Sequence, residues 1–329
     1  MAILSGALRR WANGNRLGRH YLPGPVDPRR CSQADLDRIA AERTAALDRS
    51  SASRHPHHSA HDAAALTGGT DLVNDHLHPS AEVTAADWLR PRLGRFALGV
   101  SGVVPDGFPA YVRILHPARA REGRPLRWAE VAAWSGRSMH RLAQFHVISR
   151  PVSAGRTDPA SWDGEDPPEG NLPAELLRIL CATLGEHTST PESCWLCLWD
   201  GYGWLHGSPA VAIMGAHGSI HVPPAFPPEV LDGPRVRLPG RDYLLFAGPL
   251  AAALQLGWTD PYGLFFPQSP NLFWPQDQAW CVASEIDLLC TMVGGSDDLA
   301  EALLADPCLE AWRVQPDDPI AFDSDQVNS

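Results

Sequence analysis

Gln268-Ser-Pro-Asn-Leu-Phe-Trp-Pro-Gln-Asp-Gln-Ala-Trp-Cys-Val-Ala-Ser-Glu-Ile-Asp-Leu-Leu-Cys-Thr-Met-Val-Gly-Gly295 is the stretch on which the fold turns. A proline-bounded aromatic loop leads into alternation: Trp280, Val282, Ile286 and Leu288 point one way, and Cys281, Ala283, Glu285 and Asp287 the other. A period of two is strand geometry, and this strand reads as having one apolar face. Residues 290–293 continue the pattern and Gly294-Gly295 breaks it. Ser296 is then placed to cap a helix whose first turn holds Asp297 and Asp298.

Working outward, Tyr243-Leu244-Leu245-Phe246 has no polar alternate, as expected of a strand covered on both sides. Segments 194–199, 204–205, 211–214, 219–222 and 236–238 also read as strands, as does the region around Trp312. The links between them are too short for crossover helices, so pairing should be mostly antiparallel. Residues 173–184 read as a helix with Leu176, Leu177, Leu180 and Leu184 on its inner side, and Pro249 fits the start of a short helix. Upstream, 96–104 and 110–115 flank Pro105-Asp106-Gly107 and read as a hairpin. Helices over 126–135, ended by Gly136, and over 138–147 follow it.

The prediction is an α+β fold, a mostly antiparallel sheet with flanking helices, preceded by a disordered N-terminal arm. The units are an Arg/Ser/His-rich arm with one helix (1–82), a hairpin plus two-helix unit (83–150), a loop (151–172), a Trp-rich sheet unit packed against 83–150 (173–315), and an acidic tail (316–329).

The chain has 329 residues, is 44% apolar and carries a net charge of −11. All 27 basic residues are Arg, so no phosphate-loop lysine, Schiff base or lysine-dependent kinase or nuclease site is available. Residues 1–60 hold ten Arg against five acids, a balance of +5, which leaves −16 for the remainder. An acidic body disfavours nucleic acid and anionic membranes as partners. No run of 18 apolar residues is present, and the first residues have the wrong charge order for a secretory signal. The expectation is a cytoplasmic protein with no membrane partner and seven free thiols.

Cys194 and Cys197, followed by His217 and His221, have the ligand types and end spacings of a structural zinc site. On a strand, however, residues three apart face opposite sides, and buried cysteines behave as small apolar residues. Glu285 and Asp287, two apart, share a face and could hold a divalent cation or act as an acid–base pair with Asp242, Asp277 or His206 nearby. Ala132, Gly136, Leu142 and Phe145 have helix-turn-helix offsets, but only Arg137, His140 and Arg141 would face phosphates. No nucleophile motif is present, so no catalytic residue is assigned. Seven of the twelve Trp lie from residue 195 onward. Aromatics beside Gly and Pro make Trp199, Tyr202, Trp204, Phe273 and Trp274 candidates for a binding surface.

From Arg95 onward the chain resembles a set of uncharacterised actinobacterial proteins. The likeness rests on 194–205, on Leu238-Pro239-Gly240-Arg241-Asp242-Tyr243-Leu244-Leu245-Phe246 and on 268–296. That resemblance implies no activity and carries over no site residue. The sequence therefore points to a binding protein whose partner is another protein, met through aromatic loops, with no required cofactor. The alternative is a metal-dependent hydrolase or zinc-stabilised protein at Cys194/Cys197/His217/His221 or Glu285/Asp287. Oligomeric state is left open.

Overall fold

A computed structural model describes residues 76–96, 98–152, 162–207, 213–215, 218–220, 224–259 and 264–328. Nine strands form one sheet: β1 (His78–Pro79), β2 (Ala110–Leu115), β3 (Cys194–Trp199), β4 (Val236–Leu238), β5 (Arg241–Gly248), β6 (Leu272–Pro275), β7 (Cys281–Ala283), β8 (Cys290–Gly295) and β9 (Ala311–Val314). Their order is β9-β2-β8-β7-β6-β3-β5, and β4 and β1 share the outer edge of β5. Every pairing is antiparallel, as the short links require. The tight β4–β5 link is Leu238-Pro239-Gly240-Arg241. Proline fixes one turn dihedral there, and Gly240, at φ +80°, supplies the left-handed one.

Both faces of the sheet are covered, and alternation along each strand sorts residues between them. On one face Val112, Ile114, Leu196, Leu198, Phe246, Phe273, Val282 and Val293 share a core with α2 (Ala174–Glu186) and α3 (Asp297–Ala305). On the other, Tyr111, Leu115, Cys197, Leu245, Leu272, Trp274, Cys281 and Met292 meet α1 (Trp128–Ser135), a helical turn at Phe145–Ile148 and the 3₁₀ turns of 83–102. The predicted inner leucines of α2 are all buried. Ser296 Oγ accepts from the Leu299 amide, so the predicted cap of α3 forms.

The structure corrects several sequence expectations. Trp280 and Val282 do alternate with Cys281 and Ala283, but both sets are buried, so β7 has two apolar faces. The strand stops at Ala283; the Leu288 amide returns to the Glu285 carbonyl, and β8 begins only at Cys290. Gly294 and Gly295 do not break the strand. They pair with Tyr111 and Ala110, and a Cβ on Gly294 would stand 2.6 Å from Phe108 Cδ2, so close packing demands the missing side chain.

The hairpin of 96–104 with 110–115 is absent. Val100–Gly102 is a 3₁₀ turn whose neighbourhood bonds to the chain's end, with Val100 donating to the Asp318 carbonyl and Ser101 to that of Pro316. β2 is instead enclosed by β8 and β9. Gly136 ends α1 at φ +75° as expected, but the second helix is reduced to the turn at Phe145–Ile148. The acidic tail docks on the body, burying Asp318, Asp325 and Asn328. His78–Pro79 belongs to the sheet, so the body starts before residue 83, while residues 1–75 of the expected arm lie outside the described residues.

Candidate functional site

The predicted zinc set is not assembled by β3. Cys194 sits in the α2 layer and Cys197 in the opposite one, so the sheet lies between them. Burial pushes the Cys194 thiol up to about 12, with Asp277 and Glu192 adding to it, and pushes that of Cys197 higher still. Both are therefore thiols and not thiolates at neutral pH. His217 and His221 lie outside the described residues. Among the described residues no group of three or more His, Cys, Asp or Glu is placed to hold a metal. Cys181, Cys194, Cys197, Cys281 and Cys290 are free, but Cys308 is disulfide-bonded, which corrects the expectation of seven free thiols.

Glu285 and Asp287 do converge, and what they meet is Arg241. Its Nη2 lies 2.7 Å from Glu285 Oε1 and 2.6 Å from Asp287 Oδ2, and its Nε lies 3.0 Å from the same Glu285 oxygen. Phe96 and Trp199 stack on the guanidinium at 4.7 and 5.8 Å. Burial raises the pKa of Glu285, and Arg241 opposes the shift. The other acids are used elsewhere. Asp277 staples Thr188 and Ser189, and Asp200 takes Arg235 and His206. These are structural ion pairs and turn staples.

Of the aromatic set, Phe273 and Trp274 are buried because β6 runs between β3 and β7, so they cannot form a surface. Phe273 packs edge-on against Trp280 and Trp274 against Trp88. Trp199, Tyr202 and Trp204 remain half-buried, in T-shaped and stacked contact. The Tyr202 hydroxyl accepts from Asn271 Nδ2 at 2.9 Å. The helix-turn-helix residues are engaged by the C-terminal tail: Arg141 pairs with Asp318, His140 with Asp325, and Arg137 donates to the Asn328 carbonyl.

Two arrangements escaped the sequence reading. The first is a sealed chain, in which His116 Nδ1 is 2.7 Å from the Pro168 carbonyl and Nε2 is 2.9 Å from Thr291 Oγ1, which is 2.7 Å from Ser284 Oγ. A carbonyl only accepts, so Nδ1 carries the proton and Nε2 accepts from Thr291, which accepts from Ser284. Burial lowers the His116 pKa to about 4. All three side chains are buried, so this Ser–Thr–His line ties the end of β2 to the end of β7 and to β8.

The second is a cleft of about 320 Å³ between the sheet, the 141–146 segment and the tail. Its floor is Arg113, on the face of β2 that also carries Tyr111 and Leu115. Arg113 is 6% exposed. Its Nη1 donates to the carbonyls of Arg141 (2.9 Å) and Ala143 (3.0 Å), and its guanidinium lies over Trp128 at 5.4 Å. Among the described residues no carboxylate pairs with it, which leaves its Nε and Nη2 edge to the cleft. Leu289, Met292, Phe145 and Ile320 form apolar walls, and Phe322 stacks on His146 at 3.5 Å at the mouth. Asp166, Glu169 and Asp287 lie along the other rim. The signal was in the sequence: Arg113 is the one charge in the otherwise uncharged strand Ala110–Leu115.

Among the described residues no helix is long and apolar enough to cross a membrane. No protein-family model matches the chain, and no curated protein and no solved structure matches it either.

Proposed function

We propose that this protein acts by binding, and that its ligand enters the cleft over Arg113. The observation that carries the reading is a cation 6% exposed, on a strand paired along both sides, with no carboxylate partner among the described residues. Taking a charge out of water costs several kcal/mol unless it is paired, and among the described residues backbone carbonyls compensate one nitrogen of this guanidinium. A cleft at the lower end of the usual size range for small ligands opens on the uncompensated side.

The expected protein partner at the aromatic loops loses support with the burial of Phe273 and Trp274. Nucleic acid is disfavoured by the acidic body and by the engagement of Arg137, His140 and Arg141 with the tail. A cytoplasmic location belongs to the same proposal, with five buried free thiols in its favour and the bonded Cys308 against it.

A fragment screen by protein NMR tests the reading. Hits should shift amides of 113–116, 141–146, 288–292 and 319–322 together. Hits that gather around Trp199–Trp204 instead, or none that move the cleft, would overturn it.

A further inference from the structure

Resting on that reading, we infer that the ligand is a small amphipathic monocarboxylate, an acid group on a compact apolar body. Three features of the cleft set this class. The open edge of Arg113 offers Nε–H and Nη2–H side by side, the parallel donor pair that a carboxylate accepts with both oxygens. Its orientation is fixed beforehand by two carbonyls and the Trp128 ring, so little side-chain freedom is lost on binding.

The charge balance argues for one negative charge and no more. Arg113 is a single cation, and Arg141, the other arginine of the cleft, is held by both oxygens of Asp318. Asp166 stands exposed in the lining of the cleft and would repel a second anionic group such as a phosphate dianion. The walls supply the rest. Leu289, Met292, Phe145 and Ile320 present hydrocarbon and an aromatic ring beside the polar Gln144 and His146, so the ligand carries an apolar body to set against the former.

Titration calorimetry on the full chain with octanoate, 1-octanol and inorganic phosphate tests this. Octanoate should bind saturably at one site, and octanol at least about tenfold more weakly, since it lacks the charge-assisted pair. Phosphate should neither bind nor compete. Arg113→Met should weaken octanoate about tenfold or more, and Leu289→Trp, which fills the cleft without touching Arg113, should also abolish binding while the circular dichroism spectrum is kept. Should Arg113→Met not fold, the Leu289→Trp variant decides alone. The inference is overturned if octanol binds as well as octanoate, if phosphate competes, or if the folded variants keep full octanoate affinity. It is also overturned if screening fragments occupy the cleft while octanoate does not, and in that case the binding reading itself stands. If nothing enters the cleft, both fall.

Discussion

The guanidinium carbon of Arg113 lies 5.4 Å from the ring centre of Trp128, while its Nη1 holds the carbonyls of Arg141 and Ala143. The side chain is thus a brace as well as an anchor, tying β2 to the segment that walls the cleft. Hydrogen bonds to a charged donor contribute about 1.5–3 kcal/mol each. Arg113→Met should therefore speed amide hydrogen exchange at 142–146 by about tenfold or more, leaving α2 and α3 unchanged. Uniform acceleration across the sheet would show that Arg113 supports the whole fold and not this segment.

Trp274 belongs to the core, and its replacement should show it. Trp274→Ala removes a fully buried indole that meets Trp88 edge-on, and should cost about 3–5 kcal/mol in urea denaturation. Trp204→Ala, at a half-buried position, should cost clearly less. Equal losses would mean the Trp199–Trp204 segment is as deeply built in as β6.

Much of this architecture was legible in the sequence, and the failures have physical causes. Uninterrupted apolar runs such as Tyr243–Phe246 announced a strand covered on both faces, and the leucines of α2 announced its inner side. The alternation through Glu285 and Asp287 misled, because a tight turn can carry the same polar–apolar letters as a strand leaving the core. The hairpin at 96–104 failed because its backbone groups find partners in residues 316–319, more than 200 positions away. Local pattern cannot report such a partner. The cleft was not legible for a different reason: its signal is no pair of ligand-type residues but a single arginine inside a strand.

Among the described residues Arg241 is the sole guanidinium on Glu285, which is 7% exposed. Arg241→Leu leaves that carboxylate buried without a cation, a loss of about 3–5 kcal/mol near neutral pH. A carboxylate whose folded pKa is raised is less costly when protonated, so the deficit should shrink as pH falls through that value. The double change Arg241→Leu/Glu285→Leu should recover much of the loss. A deficit that is flat with pH, or no recovery, would contradict the pairing.

His116 makes folding pH-dependent in a defined window. Its pKa is about 4 in the fold against an ordinary 6.5 when exposed, so the unfolded chain binds the extra proton first as pH falls. Its contribution is complete above about pH 6.5, declines between 6.5 and 4, and amounts to about 3 kcal/mol. Denaturation of His116→Gln across this range should lack that slope. An unchanged slope would place the acid sensitivity in other groups.

The most direct measurement is the side-chain ¹⁵N–¹H signal of Arg113 Nε while acetate is added. A saturable downfield shift is expected, with the Nε protons of Arg141 and Arg241, already facing carboxylates, unmoved. An Arg113 signal that ignores the anion, or that moves no more than those two, would show that the edge of this guanidinium is closed and that the cleft has no anchor.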